Sequence, residues 1–133
     1  MDYLPLAFNL REARVLLVGA GVVAARKATL LKKAGASLHV FALSVSDACR
    51  ALLDDTDTIS ERAVVAADLE GVRLIIAATD DRELHVWLAE SARARQIPIN
   101  IVDTPELCDF IFPAIIDRNP ILIGISSSGK SPV

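Results

Sequence analysis

The sequence predicts an α/β fold, a doubly wound parallel sheet followed by a short β-rich C-terminal segment. Three observations carry that prediction. Largely apolar runs, Val15–Val18, Leu38–Leu43, Val72–Ala78 and Ile97–Val102, alternate with stretches of helical periodicity. Two of them, Val15–Val18 and Val72–Ala78, are near-continuous rather than alternating, as befits strands buried on both faces. The first run passes at once into Gly19, Gly21, Ala24 and Ala25, the pattern of strand, tight turn and helix.

That turn has the spacing G-x-G-x-x-A, and each small residue has a physical task. Gly19 permits a sharp exit from the strand. Gly21 lacks a Cβ and lets a pyrophosphate approach the backbone. Ala24 lets the helix pack close to the sheet. The free N–H groups and the positive dipole end of the helix then face the phosphate. The stretch Arg14–Lys33 therefore reads as a Rossmann-like dinucleotide site.

The elements follow in order. Residues 3–9 (YLPLAFN) are an apolar lead-in that crosses the sheet or forms an edge strand. The first helix runs from Val22 to about Ala34, with Val23, Leu30 and Leu31 toward the sheet and Gly35 as its C-cap. After the second strand, Ser44 and Ser46 both suit the cap of a helix reaching about Leu53. Asp54–Asp57 is a polar turn, Thr58–Arg62 a short strand, and Asp68–Gly71 the end of a short crossover. Thr79-Asp80-Asp81 is the polar exit of the fourth strand and the cap of a helix over Arg82–Arg95. Leu84, Trp87, Leu88 and Ala92 lie near one face of that helix. Beyond Asp103, Thr104–Asp109 is a proline-containing loop. Phe110–Phe112, Ala114–Asp117 and Ile121–Ser126 read as short strands broken by Pro113 and Asn119-Pro120, an antiparallel meander added to the open sheet. Residues 1–109 are thus read as the nucleotide-binding domain, and 110–133 as the start of a strand-rich dimerisation and substrate segment.

Composition narrows the function. A chain of 133 residues is one domain with at most a small appendage. The apolar fraction is 53% and mean hydropathy +0.43, yet no run approaches the length of a membrane span. The N-terminus has neither the basic region nor the long apolar core of a signal peptide. Cys49 and Cys108 lack metal-ligand spacing and read as idle thiols in a reducing cytoplasm. His39 and His85 are too far apart for a His/Cys metal cage. Net charge is −3 but unevenly spread: residues 1–40 carry six basic and two acidic side chains, residues 41–110 six basic and fourteen acidic. The basic excess surrounds the glycine turn and suits an anion, although Lys32 and Lys33 also read as a solvated helix end. No basic stripe with interleaved aromatics exists, which argues against nucleic acid.

In open α/β sheets the ligand lies beyond the carboxyl ends of the strands. Four exits matter here: Gly19–Val23, Leu43-Ser44, Thr79-Asp80 and Asn100–Thr104. The acid that usually holds the adenosine ribose at the second exit is missing. Phe41-Ala42-Leu43-Ser44 stands there, leaving the backbone and Ser44 as ribose contacts and NAD or NADP undecided by the motif. Asp103 is the catalytic candidate, a carboxylate at the cleft edge after a buried strand, where partial desolvation suits a base. Asp80 and Asp81 read as helix caps and His85 as a surface histidine. Ser126, Ser127, Ser128 and Lys130 offer hydroxyls, N–H groups and one ammonium for carboxylates or phosphate.

The whole chain resembles a known family, the N-terminal domain of sirohaem synthase (precorrin-2 dehydrogenase and sirohydrochlorin ferrochelatase). The resemblance rests on YLPLAFNL, VGAGVVAARKATLLKKAGA, IIAATDDRELH and INIVDTPELCDFIFPAIIDRNPILIGISSSGKSPV, in that order. It implies oxidation of precorrin-2 to sirohydrochlorin by NAD, then insertion of Fe²⁺ in the same cleft to give sirohaem. Asp103, in Asn100-Ile101-Val102-Asp103, falls on the family's catalytic aspartate: general base in the first step, proton acceptor or metal guide in the second. Val22, Val23, Leu43 and Ser44 match its nucleotide-contacting positions. The family lacks the usual ribose acid and dimerises through the segment after its Rossmann half. A polycarboxylate tetrapyrrole needs cations and an apolar floor. Arg118, Lys130 and the serine loop suit the first, within one chain or across a dimer, and Phe112, Ile115 and Ile116 the second. The family continues past the Ser-Pro-Val segment into a helical dimerisation region, and in trifunctional members into a uroporphyrinogen-III methyltransferase domain, so the chain is expected to be truncated. Two other classes compete: an NAD(H)-sensing module without catalysis, and an S-adenosylmethionine methyltransferase, which usually wants an acid at the second strand's end.

Overall fold

The computed structural model describes residues 1–128. Five parallel strands form the main sheet: β1 (Arg14–Val18), β2 (Ser37–Phe41), β3 (Thr58–Ser60), β4 (Leu74–Ala77) and β5 (Ile99–Ile101). Their order is β3-β2-β1-β4-β5. The chain winds outward from β1 on one side and then returns to build β4 and β5 on the other. Strand order reverses between β1 and β4, and a crevice opens there beyond the carboxyl ends.

Helices α1 (Val22–Lys33) and α3 (Arg82–Ala94) cover opposite faces. Val15 and Leu17 join the core beneath α1, while Leu16 and Val18 join the core beneath α3. Both faces of β1 are buried, which accounts for its unbroken apolar sequence. The buried side of α1 is Ala24, Ala28 and Leu31, not the expected Val23, Leu30 and Leu31. Two alanines bring the helix axis close to the sheet and swing Val23 outward. A short helix α2 (Asp47–Ala51) is capped by Ser46, whose hydroxyl accepts from Cys49 N–H at 3.2 Å, while Ser44 caps nothing.

Three further expectations are corrected. The lead-in 3–9 forms no strand; Phe8 lies under the Arg73 guanidinium, and the next residue to reach the core is Leu10. Lys32 is not a solvated helix end: its ammonium bonds Asp57 at 2.8 Å and Asp54 at 3.1 Å. The buried Asp57 carboxylate also accepts from Leu38 N–H at 2.8 Å and so pins α1 to the start of β2. Phe110–Phe112 is not a strand. Both phenylalanines pack on the α1-side core, held there because Asn100 Nδ2 donates to Phe110 O at 3.0 Å. The remaining strands β6 (Ala114–Arg118) and β7 (Ile121–Ile125) form a separate antiparallel hairpin and add nothing to the main sheet. Among the described residues no helix is long and apolar enough to cross a membrane.

On the β1–β2–β3 surface, Arg14 Nη2 donates to His39 Nδ1 at 2.9 Å, and His39 Nε2 meets Ser60 Oγ at 2.8 Å. Arg14 cannot accept, so neutral His39 carries its proton on Nε2 and donates to Ser60. Burial, and then the Arg14 charge, hold this imidazole below its ordinary value of 6.5. The unfolded chain therefore binds the proton more readily. This contribution to stability is complete above pH 6.5 and is lost as pH falls through the folded-state value. Thermal melts from about pH 7.5 to about pH 5 should show the midpoint falling on the acid side, and His39→Gln should flatten that fall.

Candidate functional site

Gly19 leaves β1 with φ +115°, and a Cβ there would lie 2.3 Å from the Ala78 carbonyl oxygen. Gly19 N–H donates to Phe41 O and Ala78 N–H to Val18 O, both at 2.8 Å, so the turn is clamped between β2 and β4. Gly21 is different. Its φ is −86°, and a Cβ added there would meet nothing within 4 Å. No side chain caps α1, and its first turn carries no acid. An uncapped, positively polarised helix start beside an open Gly21 has the field and the space that suit an anion. Ser46 Oγ donates to Ala20 O at 3.1 Å and ties the loop after β2 to this corner. Two apolar side chains stand out beside it, Val22 at 71% and Leu43 at 81% exposure, with Ser44 exposed next to Leu43.

A cleft of about 270 Å³ continues from the corner past the ends of β4 and β5; Val23, Thr79, Asp80, His85, Val102 and Asp103 are among its walls. His85 is buried and not on the surface as expected. The first turn of α3 tucks under the exit of β4, and His85 Nε2 lies 2.8 Å from Thr79 Oγ1. Asp81 caps α3 by accepting from Leu84 N–H at 3.1 Å, whereas Asp80 caps nothing and lines the cleft. Asp103 has φ +62°, a left-handed conformation that Asp tolerates better than most residues and that often marks functional turns.

Lys27 is a further residue beside the cleft, absent from the candidates that the sequence suggests. Its ammonium sits 4.1 Å above the Phe112 ring. Burial holds its pKa below the usual lysine value, against the opposing pull of the Asp103 carboxylate. One signal was present: Lys27 follows Val23 by four residues and so shares its helix face.

The remaining candidates lie apart. Arg118 is at the far end of β6, paired with Ile121, and its guanidinium donates to its neighbour's carbonyl, Asp117 O, at 3.0 Å. Four residues of strand put it ~13 Å along the hairpin from Ala114. Ala114 pairs with Ile125, so Ser126, Ser127 and Ser128 follow at the hairpin's base, where Ser128 N–H donates to Ser126 Oγ at 3.1 Å. Lys130 lies outside the described residues. Ile115 and Ile116 are exposed on β6, while Phe112 packs on the core. Burial pushes both thiols up, and Cys108 accepts from Ile101 N–H at 3.1 Å, a bracing role and not a nucleophile's. Among the described residues no three His, Cys, Asp or Glu side chains gather to hold a metal.

A parallel sheet that reverses its order beside a glycine corner defines a dinucleotide-binding α/β domain. The chain belongs to the putative NAD(P)-binding family, whose model matches residues 6–114, and a nicotinamide adenine dinucleotide is its cofactor. The chain is similar over its whole length to proteins named siroheme synthase. It is 53% identical over 135 residues to that of Methylococcus capsulatus, covering 28% of that protein. It is 51% identical over 138 residues to that of Psychrobacter cryohalolentis, covering 26%. It thus spans about a quarter of the length of the curated relatives it matches. The solved structure of SirC, a precorrin-2 dehydrogenase, shares its fold: TM-score 0.81 at 24% identity, over 98% of this chain and 64% of that one.

The two glycines should respond differently to alanine. Gly19→Ala should cost about 3 kcal/mol or more, because the added Cβ meets a backbone carbonyl. Gly21→Ala should leave the melting midpoint nearly unchanged yet weaken dinucleotide binding on the order of tenfold by filling the phosphate's space. Thermal melts and NADH fluorescence titrations separate the two effects.

Proposed function

We propose that this chain is the NAD-dependent dehydrogenase part of a sirohaem-forming enzyme, oxidising precorrin-2 to sirohydrochlorin, with Fe²⁺ insertion following in the same cleft. One observation carries the reading: Asp103 and Val23, the second residue of α1, line a common cleft, so position 103 borders the space that a nicotinamide bound at the glycine corner would enter. The oxidised dinucleotide supplies the hydride acceptor. Gly21 and the uncapped N-terminus of α1 hold its diphosphate, with Val22, Val23, Leu43 and Ser44 beside it and Thr79 and Asp80 at the fourth strand's exit. Asp103 takes the proton that precorrin-2 gives up as its hydride leaves. In chelation two pyrrole protons must depart as Fe²⁺ enters, and the same carboxylate accepts protons or guides the ion.

The substrate's carboxylates call for cations and N–H groups. Arg118 stands on a hairpin that carries exposed Ile121, Leu122, Ile123 and Ile125. Association of two copies through residues 110–133 would cover these side chains and could bring Arg118, Ser126, Ser127, Ser128 and Lys130 of one protomer to the cleft of its partner. Free thiols suit the reducing cytoplasm, and the exposed apolar hairpin suits a homodimer.

The test is anaerobic mixing with precorrin-2 and NAD⁺, following NADH absorbance, then adding Fe²⁺. Asp103→Asn keeps a residue that accepts the left-handed turn. It should cut NADH formation by roughly 10²-fold or more while leaving NAD⁺ affinity intact. Unchanged turnover would remove Asp103 as the base, whereas a wild-type chain that binds NAD⁺ and forms no NADH would favour the dinucleotide-sensing module, which needs no base. Arg118→Ala should raise KM for precorrin-2 and leave NAD⁺ affinity alone; loss of NAD⁺ binding would refute its assignment to the substrate.

A further inference from the structure

The adenosine ribose of a dinucleotide is usually held by a carboxylate at the end of the second strand, and none stands there. The topology supplies one from the neighbouring strand. β2 and β3 run parallel with Phe41 opposite Ser60, and Ala42 N–H donates to Ser60 O at 3.3 Å. Glu61 is therefore the next residue past the strand end, level with Ala42, the residue before Leu43 and Ser44. It is not loose. Its carboxylate pairs with the guanidinium of Arg50, one turn into α2, the helix that Ser46 ties to the glycine corner. The two side chains are about half exposed, 45% for Arg50 and 48% for Glu61, so the carboxylate keeps room for a second partner. The other guanidinium on this edge, Arg62, is occupied twice over by Asp68, with both bonds at 2.8 Å.

We propose that Glu61, held by Arg50 at the carboxyl end of β3, is the carboxylate that accepts the adenosine ribose hydroxyls and sets the preference for NAD over NADP. The argument rests on the reading above, in which the dinucleotide lies across the strand ends. The chemistry follows from charge. A carboxylate accepts from a vicinal diol in two hydrogen bonds. It repels a 2′-phosphate, and it engages the Arg50 cation that such a phosphate would need.

The test compares Glu61→Gln with the wild-type chain against NADH, NADPH and an NADH analogue lacking the adenosine 2′-hydroxyl. The substitution is nearly isosteric at an exposed pair, and a melt checks folding. Affinity of the variant for NADH should fall about tenfold, as for loss of a hydrogen bond to a charged group. The analogue should lose clearly less affinity than NADH does on this substitution, because only the 3′-hydroxyl is left to bond Glu61. NADPH should gain affinity in Glu61→Gln through the released Arg50, and lose that gain in the double variant with Arg50→Met. Equal NADH affinity in wild type and variant would overturn the assignment. So would an analogue that loses as much affinity in the variant as NADH does, since Glu61 would then act only by shaping the loop. A wild-type chain that binds no dinucleotide would bring down the cofactor reading and this assignment with it, an outcome distinct from both.

Discussion

The close approach of the Gly19 backbone to the Ala78 carbonyl is the constraint from which the site's geometry follows. A Cβ at position 19 would sit 2.3 Å from that oxygen, so only glycine lets the β1 turn press against the exit of β4. Contact of those two exits is what makes the helix start and the carboxylate cleft neighbours. Val23 belongs to both, being the second residue of α1 and part of the cleft wall. If β1 and β4 were a few ångströms further apart at this point, the start of α1 and position 103 would line different pockets.

Close packing beneath the corner supports the same arrangement. Ala24 and Ala28 let α1 lie low on the sheet, so its N-terminus reaches the strand ends instead of standing above them. Asp57 fixes the other end of α1, with Lys32 and the Leu38 N–H both bonded to one buried carboxylate. A helix held at both ends presents its N–H groups in a set direction, which matters more to anion binding than the dipole's magnitude.

Local pattern made much of this legible. The glycine spacing, the apolar strands, the Ser46 cap and the position of Asp103 after β5 are all written in short stretches of chain. What escaped depends on contacts between distant stretches. Local sequence puts His85 on the surface, because nothing in it says that the first turn of α3 tucks under Thr79. Lys27 looked like one more helix cation, and only Phe112, eighty-five residues on, places its ammonium over a ring beside the cleft. Apolar strands seek partners, so the sequence predicts the last strands on the main sheet. Pro113 and the packing of Phe110 and Phe112 onto the core divert the chain, and β6 and β7 pair only with each other.

The same distinction explains why a missing acid misleads. The ribose carboxylate is expected about twenty residues after the glycines because β2 ends there. Space, however, is shared by whatever strand lies alongside, and register sets which residue that is. With Phe41 opposite Ser60, the edge that lacks an acid on β2 has Glu61 one step past β3. Arg50 then does for this carboxylate what the backbone does for an acid on β2: it fixes its direction while leaving lone pairs for a diol. Such a motif is read from strand pairing and not from linear spacing. An adenosine-binding edge in an open α/β sheet is therefore judged by the charges that meet there, from whichever strand they come.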